Sequence, residues 1–325
     1  MIAKKISGGV KSAAALSAVL GVSALFCLSS ASLLLASDAG KTSAQYLKIA
    51  LNPRNEAMGG AGVAFMSDEI FYNPASIAKI KDSSTRAGYV SWFEDMSKTN
   101  IFTAMPLNSH VKMAANLSYF NISGLNSYEA GTGNDLGEFK RNSTDITFAA
   151  AAKFGKISLG AAIKGINEKY GSESGKAFAA DAGAIMDITR QISLGASIVN
   201  KGTKLEIGTV EKELAPSSRF GICIKPSETV TVNCDVEMPN DDDTRQHFGA
   251  EWEFNKNYCL RGGWQKFGEI GGVTAGFGMK INTSNWERTV TAMGAVHERL
   301  LLIDYSYQAN SEFDSIHRFA IGLGF

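Results

Sequence analysis

The final nine residues place the tightest constraint on the fold. From His317 the chain reads His-Arg-Phe-Ala-Ile-Gly-Leu-Gly-Phe and then stops. Because side chains alternate across a strand, Phe319, Ile321, Leu323 and Phe325 share one face, and small or polar residues occupy the other. A membrane-spanning sheet has to close on itself, since an unpaired edge cannot be satisfied in lipid. We therefore expect this stretch to be the closing strand of a transmembrane barrel.

Alternation of the same kind runs through residues 84–325. Val273 and Phe277, for example, share a face opposite Thr274 and Lys280. About fourteen such segments follow one another, and their polar rows are rich in glycine, alanine and serine, as suits the crowded concave side of a barrel. A soluble β-sandwich also alternates, but its solvated face would normally carry more lysine and glutamate. The pattern predicts an all-β fold, a transmembrane antiparallel up-and-down β-barrel of about fourteen strands.

The lengths of the connections favour the same architecture. Short turns are expected at 107–109, 155, 189–191, 226–227 and 255–257. Longer loops are expected at 122–141, 168–176, 201–217 and 239–243. Outer-membrane barrels have short periplasmic turns and longer external loops. Residues 282–296 fall where a short turn is due but are long and poorly alternating, which leaves an insertion and a hairpin extension both open.

The start of the chain is typical of a secretory signal peptide, which we assign to residues 1–37. Lys4, Lys5 and Lys11 precede the apolar stretch 13–28, and small residues follow it. An uncleaved membrane anchor is the alternative. The chain has 32 basic and 32 acidic residues, so no basic field indicates a nucleic-acid partner.

Residues 38–83 do not alternate and form a separate segment ahead of the barrel. Its motif residues are Asn52, Pro53, Arg54, Met58, Gly59, Gly60, Gly62, Asn73, Pro74 and Ala75. The glycines permit backbone conformations and close approaches that a β-carbon would forbid, and Asn-Pro excludes a central strand. A phosphate-binding loop is the weaker interpretation, because no Lys-Ser or Lys-Thr follows the glycines.

The run from Arg54 to Ala64, with Asp68 and then Asn73-Pro74-Ala75, resembles the opening of the PorV/PorQ family of outer-membrane proteins. These are relatives of the FadL long-chain fatty-acid channel. The resemblance implies that residues 38–83 fold into the barrel lumen as a hatch, although Ser76 stands where glycine is common in the family. The terminal Phe325 is similar to the residue that ends bacterial outer-membrane barrels, whose last strand the barrel-assembly machinery reads.

The functions implied by this resemblance are of two kinds. The first is an accessory role in protein export or surface attachment linked to type IX secretion, and the alternative is a FadL-like passage for hydrophobic small molecules. The expected location is the bacterial outer membrane. The expected partners are its lipid and the barrel-assembly machinery, with secretion-system proteins, their cargo or a hydrophobic ligand added according to the function.

The sequence offers no catalytic, cofactor-binding or metal-binding motif, so we do not expect an enzyme. His110, His247, His297 and His317 are scattered without ligand spacing. The acidic run 241–243 with its preceding asparagine could hold calcium, but a solvated loop tip is the simpler interpretation.

Two sets of inward or buried groups are also expected from the alternation. The three cysteines Cys223, Cys234 and Cys259 should be free, buried thiols that behave as small apolar residues. Inward charges of both signs, such as Lys164, Asp181 and Glu251, should bond the hatch and one another rather than form a selectivity filter.

Overall fold

In the part of the chain that the computed structural model describes, residues 41–128, 131–267, 270–283, 300–310 and 314–324, fourteen antiparallel strands close into one barrel. The barrel strands are β1 Ser84–Ser91, β2 Met96–Pro106, β3 Val111–Tyr128, β4 Asp135–Phe154, β5 Ile157–Tyr170, β6 Glu173–Asp187, β7 Ile192–Gly202, β10 Ser217–Ser227, β11 Val230–Pro239, β12 Arg245–Glu253, β13 Tyr258–Phe267, β14 Ile270–Asn282, β15 Leu300–Gln308 and β16 Ile316–Gly324. A separate hairpin consists of β8 Leu205–Ile207 and β9 Val210–Lys212. The predicted fold class and strand number are confirmed. The signal segment 1–37, most of the connection 282–296 and Phe325 lie outside the described residues.

Closure joins the first strand to the last. Strands β1 and β16 pair antiparallel, from Ser84 opposite Gly324 to Ser91 opposite His317. On β16 the side chains of Phe319, Ile321 and Leu323 point outward and are about half exposed, whereas the intervening Arg318 and Ala320 are buried. The alternation of this strand is therefore as expected, and its role as an assembly signal stays a prediction.

The outer face of the barrel is apolar over much of its area. Residues such as Ile163, Phe178 and Val273 are 62 to 70% exposed, and aliphatic or aromatic side chains on nearly every strand share their direction. An exposed apolar surface of this extent is typical of a wall that faces lipid. None of the helices within the described ranges is long and apolar enough to span a membrane.

Two of the predicted loops are wrong. Residues 122–141 and 168–176 mostly continue strands, so that β3 and β4 are 18 and 20 residues long and β5 and β6 are joined by a two-residue turn at Gly171. The pairing of β2 with β3 ends at Met96 opposite Ile122, and beyond it β3 and β4 continue as a ribbon. Residues 201–217 contain the β8–β9 hairpin. We call this end of the barrel the long-hairpin end, and the opposite end, with turns at 107–110, 155–156, 188–191, 228–229 and 254–257, the short-turn end.

The residues ahead of β1 form what we call the inner segment, residues 41–83. It contains the 3-10 helix Gln45–Lys48, the short α-helix Pro53–Glu56 and the 3-10 helix Pro74–Lys79. Each Asn-Pro pair begins one of these helices, because the asparagine side chain accepts a bond from the backbone N–H two residues on: Arg54 bonds Asn52, and Ala75 bonds Asn73.

Candidate functional site: the lumen and its inner segment

The inner segment packs against the inward side of the barrel wall. One apolar cluster joins Tyr46 and Leu47 to Phe120, a second joins Ile77 to Phe102, and a third joins Met58 and Phe65 to Cys223. These contacts come from strands on opposite sides of the barrel. The segment therefore crosses the lumen rather than lying along one wall.

Glycines on seven of the fourteen barrel strands leave room for this segment. A β-carbon added to any of these wall glycines would collide with residues 57–75. They are Gly160, Gly183, Gly195, Gly221, Gly249, Gly263 and Gly276, on seven different strands. The alternation suggested small inward residues in general, but it did not indicate that those facing the inner segment lie on the strands from β5 to β14.

Glycines of the inner segment are needed for close packing as well. Gly59 and Gly60 have φ of 66° and 71°, a left-handed conformation that glycine adopts without strain. A β-carbon on Gly59 would lie 2.5 Å from the carbonyl oxygens of Phe248 and Trp264. Gly62 has no positive φ, and its β-carbon would instead meet the amide of Asn55. The backbone at Gly59 thus lies directly on the wall, whereas Gly62 allows close packing within the inner segment.

Polar groups of the wall bond this exposed backbone. The N–H of Gly59 donates to Thr274 Oγ1 over 2.9 Å, and the N–H groups of Gly62 and Val63 donate to Asp235 Oδ2 over 2.7 and 2.9 Å. Within the segment itself, Asn73 Nδ2 donates to the carbonyl oxygen of Val63 over 2.7 Å. Backbone groups that are buried without partners are costly, so these side chains stabilise the segment in this position.

Ion pairs join the motif to the wall as well. Arg54 binds both oxygens of Glu251, with Nη2–Oε1 2.6 Å and Nε–Oε2 2.8 Å, and Arg261 Nε reaches the same carboxylate over 2.7 Å. Burial alone would lower the pKa of Arg54, but the Glu251 carboxylate raises it above its ordinary value, so the guanidinium stays charged. The prediction that Glu251 bonds the inner segment is confirmed. The prediction that inward charges bond one another is confirmed for Lys164, whose Nζ lies 2.8 Å from Asp181 Oδ2.

His247 is a further contact that sequence reasoning missed. Its ring is buried, with Nδ1 2.7 Å from the carbonyl oxygen of Gly59 and Nε2 3.1 Å from Glu237 Oε2. Arg219 completes the group, since it donates to the Gly60 carbonyl oxygen and to Glu237, each over 2.6 Å. The one sequence signal for this contact is the position of His247 on an alternating strand, which directs its side chain into the lumen.

A cavity of about 420 Å³ remains inside the barrel towards the long-hairpin end. Its apolar wall includes Phe71, Trp92, Met96, Phe120 and Ile122. Buried concave sites with mostly apolar walls are the usual places where small molecules bind. A second, more open cavity of about 650 Å³ lies on the outer side of the 3-10 helix Gln45–Lys48, with Leu205, Ile207 and Val210 of the β8–β9 hairpin in its lining.

The charges around the inner cavity neutralise one another. Every lysine and arginine that lines it in the described part of the chain pairs with a carboxylate. The pairs are Lys48–Asp241, Arg141–Glu168, Lys164–Asp181, Arg219–Glu237, Arg245–Asp242 and Arg318–Glu56. An anionic ligand would therefore have to break an ion pair, whereas a neutral apolar ligand would not.

The 3-10 helix between the two cavities is held by Asp241. This carboxylate accepts bonds from Thr42, from Gln45 Nε2 over 2.7 Å and from Lys48 Nζ over 2.6 Å. Burial alone would raise the pKa of Asp241, but these bonds outweigh it and hold the pKa below its ordinary value. Asp241 was expected at a solvated tip and is instead buried, because its partners come from the far end of the sequence. No cluster of potential metal ligands occurs among the described residues.

The cysteine prediction is confirmed, since Cys223, Cys234 and Cys259 are free and buried. His110 lies in the β2–β3 turn and His317 on β16, where its Nδ1 is 2.9 Å from the hydroxyl of Tyr305. His297 is outside the described residues. The structure thus does not bring the three described histidines together.

Neither a protein-family model nor a curated protein sequence matches this chain. Among solved structures, the toluene transporter TbuX of Ralstonia pickettii superposes with a TM-score of 0.60 at 14% identity, over 84% of this chain and 97% of that one. The toluene transporter TodX of Pseudomonas putida gives 0.60 at 12% identity, over 83% and 96%. A Pseudomonas aeruginosa FadL homologue gives 0.57 at 11% identity, over 85% and 98%.

The fold is that of these transporters. At such identities the likeness concerns the fold alone. It agrees with the FadL side of the resemblance seen in the sequence, and the PorV/PorQ side, with its role in export, stays a prediction. The similar structures are transport channels and not enzymes.

Proposed function

We propose that this protein is an outer-membrane channel for small, neutral, hydrophobic molecules. The observation that carries the proposal is the inner cavity, which combines aromatic and aliphatic side chains with lysines and arginines that are each paired with a carboxylate among the described residues. The similar structures support it, because two of them are described as toluene transporters. In the outer membrane the short-turn end would face the periplasm.

The two cavities suggest an entry route, because Gln45, Lys48 and Arg141 line both of them. A molecule would enter the open cavity beside the β8–β9 hairpin and then pass the 3-10 helix Gln45–Lys48 into the inner cavity. Apolar contact draws the solute from water at about 25 cal/mol for each Å² buried, without requiring any specific polar group. Selection against anions follows from the paired cations, since none is available to compensate a carboxylate.

The experiment is uptake of labelled toluene by Gram-negative cells that lack a hydrocarbon channel of their own and express this protein. Ile122→Glu places a charge in the inner cavity and should reduce uptake to near the background of the empty host. Asn121→Glu is the matched control, because the neighbouring side chain points to the other face of β3, and it should transport normally. Benzoate, the anionic counterpart of toluene, should compete poorly. Equal uptake by both variants, or a preference for benzoate, would contradict the proposal.

A further inference from the structure

The short-turn end of the barrel holds an open cavity of about 620 Å³ that the proposed path does not explain. It is bounded by the β4–β5 turn, the β6–β7 turn and the end of the 3-10 helix Pro74–Lys79. It is separate from the inner cavity, and the two have no lining residue in common.

Its charges are strongly unbalanced. Five cations line it, Lys79, Lys153, Lys156, Arg190 and Lys225, together with the single carboxylate of Asp187. Lys79 and Lys153 both bind this carboxylate, each with Nζ–Oδ2 2.6 Å, so one negative charge is shared by two positive ones.

The other three cations have no carboxylate partner among the described residues. Lys156 Nζ donates to the carbonyl oxygen of Ile188 over 3.3 Å, and Lys225 Nζ lies 5.4 Å from the centre of the Phe65 ring. Arg190 is exposed in the β6–β7 turn. The contrast with the inner cavity is direct, because there each cation is neutralised.

We propose that this cavity is a binding site for a phosphate group. A concave site lined by charges of one sign focuses the electrostatic field and concentrates ions of the opposite sign. A phosphate carries up to two negative charges and several strong acceptor oxygens, which lysine and arginine bind through charge-assisted bonds. A phosphate in the cavity would offset the mutual repulsion of Lys156, Arg190 and Lys225, which the protein's own carboxylates leave in place.

The phosphate could come from two sources with the same chemistry. One is a free phosphate or phosphorylated solute on the side that the short-turn end faces. The other is the headgroup of a phospholipid from the surrounding membrane leaflet. In either case the binding should weaken as ionic strength rises, because the site is open to solvent.

The test is calorimetric titration of the full-length, delipidated protein in detergent at low ionic strength. One arm uses inorganic phosphate, and the other uses a short-chain phosphatidic acid with the matching diacylglycerol as its phosphate-free control. The variant Arg190→Glu with Lys225→Glu should bind phosphate at least tenfold more weakly. The matched control, Lys169→Glu with Lys176→Glu, makes the same change of charge with exposed residues at the long-hairpin end and should bind as the wild type does.

The outcomes separate the sources. Binding of inorganic phosphate supports a free anion, and binding of phosphatidic acid alone supports a lipid headgroup. Heat-modifiable migration shows whether the variant with reversed charges assembles. If it does not, the neutral double variant Arg190→Gln with Lys225→Gln replaces it in the titration. Wild type that binds neither phosphate, or cavity variants that bind as tightly as the wild type, would overturn the proposal.

Discussion

Glu251 joins two arginines that are distant in the sequence, Arg54 of the inner segment and Arg261 of β13. Its side chain is 2% exposed, and within the described part of the chain these two arginines are the cations that pair with it. Glu251→Gln removes the charge and leaves the buried guanidinium of Arg261 beside the partly buried one of Arg54. Breaking a buried ion pair typically costs about 3–5 kcal/mol, and we expect a loss of that order in the free energy of unfolding, measured by urea titration in lipid vesicles.

Glu253 provides the matched control for this change. It lies on the same strand with the same inward direction, but it is 33% exposed and pairs with Lys280 over 3.3 Å. Pairs open to solvent contribute about 0–1 kcal/mol, so Glu253→Gln should be nearly neutral. A similar loss in both variants would mean that burial does not distinguish the two sites.

A substitution at Ile163 tests whether the outward side chains face lipid. It lies near the middle of β5 and is 65% exposed, opposite Phe148 on the neighbouring strand. Ile163→Arg should cost about 2–4 kcal/mol if this position is near the centre of the membrane. The same urea titration applies, with Lys164→Arg as control, because that neighbour already places a charge in the lumen. If Ile163→Arg were as stable as the control, the outer surface would not face lipid at this depth.

At the scale of elements, the 3-10 helix Gln45–Lys48 buries Tyr46 and Leu47 in an apolar cluster, while the polar side chains of Gln45 and Lys48 both bond Asp241. The folded pKa of Asp241 is depressed, so its bonds contribute stability at all pH values above the unfolded pKa of about 3.9. This contribution is lost as pH falls below that value and through the folded pKa. Hydrogen exchange at the N–H of Ser43 and Leu47 should therefore be slow and steady from pH 7 to about 5, after correction for the intrinsic rate, and should accelerate below about 4.

The variant Asp241→Asn separates the effect of the Asp241 bonds from general effects of acid. It should show the faster exchange already at neutral pH, without further acceleration on acidification, whereas exchange in β12 should be unchanged. Protection that is the same in wild type and variant at pH 7 would show that other contacts hold this helix.

The strands were predictable from sequence because each has one face to lipid and one to the lumen, which gives period-two alternation a strong contrast. The alternation is lost at 122–141, where the β3–β4 ribbon projects beyond its neighbours and where Leu136 and Phe139 of β4 stand at sequence positions of opposite parity among polar residues. With no apolar row, an extended strand resembles a loop.

The site was much less predictable than the strands. The motif 52–75 stood out because it does not alternate, and its glycines indicated close approach. The residues it contacts did not stand out, because many of them are distant in the sequence: Gly59 bonds Thr274 across 215 residues. Asp241 was misplaced for the same reason, and the alternation says nothing of which wall residue meets which part of the inner segment.

At the scale of the whole molecule, we expect the inner segment to determine whether the barrel conducts ions. It contacts the wall through apolar clusters, ion pairs and wall glycines on many strands. The barrel strands, by contrast, pair only with one another, and β1 closes on β16 without the segment. Deleting residues 46–80 should therefore leave a closed barrel with an open lumen. We expect wild type to be nearly silent in planar bilayers and the deletion to show stable single-channel conductance.

The variant Asp241→Asn is an intermediate case between wild type and the deletion. It removes the bonds of Asp241 to the 3-10 helix Gln45–Lys48 and leaves the contacts of Arg54, Gly59 and Asn73 in place. It should stay nearly silent to ions. A wild type that conducts like an open porin would contradict a hatch in residues 38–83. A deletion that assembles, as judged by heat-modifiable migration, and yet remains silent would assign closure to another part of the chain, with the β3–β4 ribbon at the long-hairpin end as the next segment to remove.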